Sequence, residues 1–257
     1  MAKVTLYLDK SIEQNAALYY EKAKKIKRKL EGAKAALGAS LKKLEKLEKK
    51  QEKEVKQIIK KEERKQEWYE KFRWFISSDG FLVIGGRDAT SNEIVIKKHT
   101  EANDLVLHTD LAGSPFFVIK SQGREIPKKT IEEAAQATAA YSKAWKLGLS
   151  SLEVFYVKPE QVSKKTKSGE YMGKGAFMIY GETNYLRPNI NLAIGIKENQ
   201  IIGGPISAVK ANAEKFIIIE QGREKASDTA KKVKARFGGD LDEIIRFLPS
   251  GGYQIVQ

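Results

Sequence analysis

The stretch with the most chemistry to offer is VKPEQVSKKTKSGEYMGKGAFMIYG, Val157 to Gly181. It carries Lys158, Lys164, Lys165, Lys167 and Lys174 against Glu160 and Glu170, with Ser163, Thr166, Ser168, Gly169 and Tyr171 interleaved. Ammonium groups, hydroxyls and amides near glycine all donate to phosphate oxygens, so this segment has the means to follow a nucleic-acid backbone. Its spacing supplies charge without a base-reading pattern, and a solvated surface loop is the competing reading.

Catalytic candidates are few. The only histidines are His99 and His108, and nothing around them has metal-ligand spacing. HTDLAGSP brings His108, Asp110 and Ser114 close in sequence, but nucleophile, base and orienter usually come from separate elements, so a neutral His108 bonded within the fold is expected. Gly85-Gly86 follows a strand without matching a dinucleotide or phosphate-loop fingerprint. Gly203-Gly204-Pro205 reads as a turn. Asp240, Asp242 and Glu243 sit where acids favour a helix start. The chain has no cysteine, which removes thiolate ligands, disulfides and cysteine nucleophiles. No catalytic residue, metal or cofactor is therefore expected.

Charge points the same way as the lysine segment. The net charge is +14, and residues 1–75 hold 22 Lys and Arg against 12 Asp and Glu, an excess of ten. Such a surface attracts polyanions by steering and counterion release. The start, MAKVTLYLDKS, lacks a signal-peptide core and no apolar run is long enough to span a bilayer, so a cytoplasmic protein without membrane contact is expected.

The elements that must position these groups fall into two parts. Ser11 to about Gln66 holds no proline and only Gly32 and Gly38, and Ser11 with Gln14 makes a capping box, so one long helix is expected. Tyr19, Ile26, Ala33 and Leu47 fall on one heptad line and Ala23, Leu30, Leu37 and Leu44 on another, a coiled-coil seam that one helix cannot bury. A hairpin turning at Gly38 is the alternative. The rings of Trp68, Tyr69, Phe72, Trp74 and Phe75 are placed on the last helical turns, anchored in the domain that follows.

Beyond them the spacing predicts a strand pair around Asp79-Gly80 and a helix over Ser91–Thr100 opened by Thr90 and Glu93, with a strand through IVI as its competitor. Strands are predicted at Leu105–Thr109, Phe116–Lys120, Leu152–Val157, Ala176–Gly181, Leu192–Lys197 and Phe216–Glu220. A capping box at Thr130 and Glu133 should open a helix running to Lys146, and two further helices fit Ser227–Phe237 and Asp240–Phe247. The fold class is α+β: a long N-terminal coiled-coil helix over 11–67 followed by a mixed α/β domain over 68–257.

Three quoted stretches in this order, WYEKFRWFISSDGFLVIGGRDATSNEIVIKK, DLVLHTDLAGSPFFVIK and EQVSKKTKSGEYMGKGAFMIYG, resemble the NFACT-R domain of the ribosome quality-control group of the RqcH and NEMF type. LYLDKSIEQNAALYYEKAKKIKRKLEGA resembles the second coiled-coil arm of the same proteins, and Met1 to Asp9 the last strand of their middle domain. The resemblance implies a carboxy-terminal piece of such a protein, with 1–10 ending the middle domain. It implies binding to a large ribosomal subunit with peptidyl-tRNA, and a share in recruiting tRNA for template-free tailing of stalled chains. Peptide bond formation there belongs to the ribosome. By the same resemblance the RNA contacts are Arg87, Asp88, Asn92, Lys97, Lys98, His108 and Ser163 to Tyr171. The partners implied are large-subunit RNA and tRNA. The seam would take either the family protein's missing amino-terminal half or a second copy, giving a homodimer. A coiled-coil protein adaptor without RNA contact, and an RNA-acting enzyme using His108 and Asp110, are the competing readings.

Overall fold

The computed structural model describes residues 4–62, 66–164 and 173–256. The chain divides into two units, residues 1–66 and 67–257.

The first unit is built on α1, Ile12–Glu62. The Ser11 amide donates to Gln14 Oε1 at 3.0 Å and the Gln14 amide to Ser11 Oγ at 3.3 Å, the reciprocal cap expected of this pair. Residues 4–10 form no strand. They are held instead by two side chains of the first helical turns: Asn15 accepts from the Tyr7 amide at 2.8 Å and donates to the Tyr7, Lys10 and Ser11 carbonyls, while the Tyr19 hydroxyl donates to the Thr5 carbonyl at 2.6 Å. The helix runs unbroken through Gly32 and Gly38, against the hairpin alternative, because each glycine costs only about 1 kcal/mol in a helix. Ile26, Leu30, Leu37, Leu44 and Leu47 are each more than half exposed.

The second unit contains two antiparallel sheets. In chain order its elements are β1 (Arg73–Ile76), β2 (Leu82–Gly85), α2 (Ala89–Lys98), β3 (Leu105–His108), β4 (Phe117–Ile119), α3 (Lys128–Ala140), α4 (Lys143–Leu147) and β5 (Val154–Val157). There follow β6 (Val162–Ser163), β7 (Met178–Ile179), β8 (Asn184–Leu186), β9 (Leu192–Lys197), β10 (Gln200–Gly204), α5 (Ile206–Asn212), β11 (Lys215–Glu224), α6 (Ala226–Phe237), α7 (Leu241–Arg246) and β12 (Tyr253–Ile255). One sheet has the order β1-β2-β4-β3-β5-β8, the other β10-β9-β11-β12, and β6 pairs with β7 alone. Every pairing is antiparallel, so the unit is α+β. Helix α3 packs on β3, β4 and β5, while α5 packs against β1, β9, β10 and β11. Phe117, Ile84, Leu107 and Ile119 fill the core on the first sheet and Leu192, Ile194, Ile217 and Ile219 on the second.

Several expectations are corrected here. The aromatic run does not end the helix: Trp68 to Lys71 form a turn, and Trp74 and Phe75 lie in β1, because successive strand residues reach opposite faces and both rings find cover there. Thr130 and Glu133 do not cap α3, which starts earlier, after Pro127 fixed at φ −67°. Thr130 instead donates to Asp79 Oδ2 at 2.8 Å, and Glu133 accepts from the Ser78 amide at 2.9 Å and the Ser207 hydroxyl at 2.7 Å. The helix predicted to reach Lys146 breaks at Tyr141 and restarts with Ser142 as cap, ending at Gly148 in the left-handed conformation. Gly203-Gly204 is not a turn but the end of β10. A Cβ on Gly203 would lie 2.8 Å from Phe247 and one on Gly204 3.0 Å from Phe75, so both glycines permit close packing. Asp240 does cap α7, accepting from the Asp242 and Glu243 amides.

Candidate nucleic-acid interface

Strand β2 ends in Gly85 and Gly86, and the chain then turns into α2. A Cβ on Gly85 would lie 2.5 Å from the Phe117 ring and one on Gly86 1.9 Å from Asn92 Oδ1, so the pair lets the turn sit directly on the sheet. Asp88, in extended conformation, caps α2: its carboxylate accepts from the Ser91 amide at 2.8 Å, and the Ser91 hydroxyl closes the box on the Asp88 amide. This replaces the Thr90 and Glu93 box predicted from the sequence. The Ser91 amide bond is also the main cause of an Asp88 pKa below the usual carboxylate range. Asn92 is buried and accepts the Phe116 amide at 3.1 Å.

Arg87, Asp88, Ala89 and Asn92 form one wall of a cleft of ≈ 360 Å³. The loop from His108 to Phe116 forms the second wall, and Lys174 to Phe177 the third. Lys174 is exposed at its edge, and Gly175, at φ +76°, packs against the Ala89 backbone, where a Cβ would come within 2.6 Å. Arg87 donates Nη2 to the Phe72 carbonyl at 2.9 Å, which leaves other N–H groups of its fork available.

His108 is committed to the fold. Its ring stacks on Phe116 with centroids 3.8 Å apart, and Nδ1 meets the Pro115 carbonyl at 3.0 Å, which requires that nitrogen to carry the proton. Ser114 donates to the Leu111 carbonyl at 2.6 Å and lies 2.7 Å from the Thr109 hydroxyl. His108, Asp110 and Ser114 therefore do not make a relay. Burial lowers the pKa of His108 despite the Pro115 bond and Asp110, and burial followed by Lys71, Lys120 and Lys98 lowers that of His99. The unfolded chain takes up protons near pH 6.5 at both rings, while the folded chain resists them until lower pH, so stability should fall as pH drops below about 6.5. Urea melts across that range and the NMR titration of His108 check this; a ring titrating at or above its ordinary value contradicts it.

The cations divide into two groups. Glu93 holds Lys97 at 2.6 Å and Lys164 at 3.6 Å, and Lys164 also donates to the Gly173 carbonyl and lies 4.8 Å from the Phe177 ring centroid. Lys98, Lys174 and Arg87 carry no ion pair among the described residues. Ser163 pairs with Met178 in the short β6–β7 ladder. Lys165, Lys167, Ser168, Gly169 and Tyr171, with Thr166, lie outside the described residues. The structure thus brings Arg87, Asp88, Asn92, His108 and Lys174 around one cleft, with Lys164 beside it on Glu93. It adds Tyr141 and the Gly113 to Phe116 loop, which sequence reasoning missed because Tyr141 reaches the cleft only where the helix breaks.

Residues 71–181 match the family described as the NFACT protein RNA binding domain. Over 206 residues the chain is 41% identical to the archaeal Rqc2 homolog aRqcH of Methanocaldococcus jannaschii, covering 77% of this chain and 31% of that protein. It is 38% identical over 180 residues to human ribosome quality control complex subunit NEMF, covering 68% of this chain and 16% of that protein. A 28% identity over 192 residues links it to ribosome quality control complex subunit 2 of Saccharomyces cerevisiae. The chain spans less than a third of the length of each of these relatives. Among the described residues no helix is long and apolar enough to cross a membrane.

Proposed function

We propose, on the premise that residues 71–181 are an NFACT-type RNA-binding domain, that this chain is an RNA-binding module acting in ribosome quality control. The observation that carries the reading is the cleft itself: Arg87 and Lys174 line it without an ion pair among the described residues, and both fall inside the matched segment. In the finer form of the proposal the RNA is that of a large ribosomal subunit holding peptidyl-tRNA, and the module helps recruit tRNA for C-terminal tailing. The chain itself performs no chemistry. Asp88, Asn92 and His108 serve by fixing the walls of the cleft, and the lysines and Arg87 by meeting phosphate.

Replacing Lys98 and Lys174 together by Ala should weaken binding of a labelled structured RNA and flatten its salt dependence by roughly one unit of log–log slope per lost phosphate contact. Fluorescence anisotropy across a salt series measures both, and unchanged affinity and slope exclude this surface.

The exposed seam of α1 favours an added role in protein contact. Leu30 and Leu37 are 54% and 63% exposed, so the helix pairs with another part of the family protein or with a second copy. Sedimentation showing only monomer over a wide concentration range would argue against the second copy.

A further inference from the structure

Arg73 and Arg87 meet beside Tyr141, and the charge of Arg246 reaches Arg87. Arg73, opening β1, lays its guanidinium over the Tyr141 ring, with Cζ 4.1 Å from the centroid. Arg87 binds the carbonyl of Phe72, the residue next to Arg73. The Tyr141 hydroxyl donates at 2.8 Å to the carbonyl of Phe247, the residue next to Arg246 at the end of α7. Burial lowers the proton affinity of Arg73 and, with the positive charge of Arg73 and Arg246 added, that of Arg87. Among the described residues none of the three forms an ion pair with a carboxylate. The acid nearest in effect, Asp88, is engaged in capping α2.

Arg73 and Arg87 are partly desolvated and repel one another, and Asp88 offsets only part of that repulsion at Arg87 without forming an ion pair among the described residues. Part of their donor capacity is spent, on a ring face and on one carbonyl. Each fork offers five N–H groups, so most of it is left for an anion, and planar forks match phosphate oxygens two at a time. Arg87 and Tyr141 also line the cleft, so an anion held there would sit where a strand entering past Lys174 can reach it.

We propose that Arg73, Arg87 and Arg246 form a phosphate-binding site that seats one backbone phosphate of an RNA entering the cleft. This rests on the RNA-binding reading above. The site differs from the lysine segment in kind: it is preorganised by Tyr141 and recognises a phosphate by geometry, whereas the lysines supply field.

The test uses the full chain with the variants Arg246→Gln and Arg73→Gln/Arg246→Gln. Arg246 is exposed at the end of a short helix, so its replacement leaves the core intact. Thermal melting is compared in inorganic phosphate and in chloride at equal ionic strength, and RNA affinity is read by anisotropy. Wild type should melt higher in phosphate, since a ligand that binds only the folded state stabilises it. Both variants should lose that difference. Arg246→Gln should melt at or above wild type in chloride, because a repulsive charge is gone. The double variant should bind RNA roughly tenfold more weakly, with a salt slope lower by about one unit. Equal melting of wild type in the two salts, or unchanged RNA affinity of a folded double variant, overturns the inference while leaving RNA binding through the lysines standing. A wild-type chain that gains stability from phosphate yet binds no RNA overturns both the RNA assignment of this site and the functional reading beneath it.

Discussion

Asp104→Ala should lower the unfolding free energy of the second unit by about 3–5 kcal/mol, the range found when one member of a buried ion pair is removed. Asp104 is 1% exposed and Lys120 6%. Lys120 Nζ donates to Asp104 Oδ2 at 2.5 Å and to the His99 carbonyl at 3.0 Å, while the Asp104 carboxylate also accepts the Ser121 and Glu101 amides at 2.9 and 2.8 Å. The pair therefore ties the α2–β3 connection to the end of β4. Removing the carboxylate leaves the Lys120 ammonium with only the His99 carbonyl and the exposed Glu101 carboxylate at 3.1 Å and strands two amides, and the loss of the buried partner accounts for most of the change. Urea unfolding measures the change, and Asp104→Ala/Lys120→Met should recover much of it because the poorly compensated charge is then absent. A single variant within about 1 kcal/mol of wild type would show that water reaches this pair.

Trp145→Ala should cost a similar amount, about 3–5 kcal/mol, through the cavity left by a large ring. Trp145 is 1% exposed, and its indole N–H donates to the Gly252 carbonyl at 2.9 Å. That bond links α4 to the chain entering β12, and so joins the layer on the first sheet to the edge of the second. Gly251 packs so closely that a Cβ there would stand 2.9 Å from the indole. Trp145→Phe keeps most of the apolar contact and loses the hydrogen bond, so it should cost about 1–3 kcal/mol. Equal losses in the two variants would place the whole effect on the indole N–H rather than on packing.

The two proteins' worth of pattern in this chain were not equally legible. The long helix could be read directly, because Ser11 and Gln14 cap it and the Ser11 hydroxyl's bond to Glu13 lies within the same first turn. The same motif misled at Thr130 and Glu133, whose side chains serve contacts with Ser77, Asp79, Ser78 and Ser207 that only the tertiary fold creates. At α2 two boxes overlapped in sequence, and Asp88 with Ser91 prevailed over Thr90 with Glu93 because Asp88 is extended while Glu93 turns to Lys97 and Lys164. Strands β6, β8, β10 and β12 and helix α5 went unread. Their residues are short apolar or glycine-bearing runs whose pairing depends on remote strands. Gly203 and Gly204 carry the usual marks of a turn, yet serve as clearance for Phe247 and Phe75.

The candidate site shows the same division. Arg87, Asp88, Asn92 and His108 were found through motifs that the family resemblance supplied, and the fold gathers them around one cleft with Lys174. Their individual roles followed only from burial and bonding: a cap, an acceptor for the Phe116 amide and a stacked ring. The arginine cluster had no local signal at all. Arg73, Arg87 and Arg246 share neither a motif nor a period, and the Tyr141 ring and two backbone carbonyls draw together the segments that carry them.

The central claim, that this chain grips RNA, is tested most directly by co-sedimentation of the intact chain with purified large ribosomal subunits over a salt series. The account predicts saturable pelleting at low salt, with log affinity falling linearly in log salt at a slope that reports several phosphate contacts. Absence of the chain from the subunit pellet at low salt, or pelleting that does not respond to salt, would contradict it.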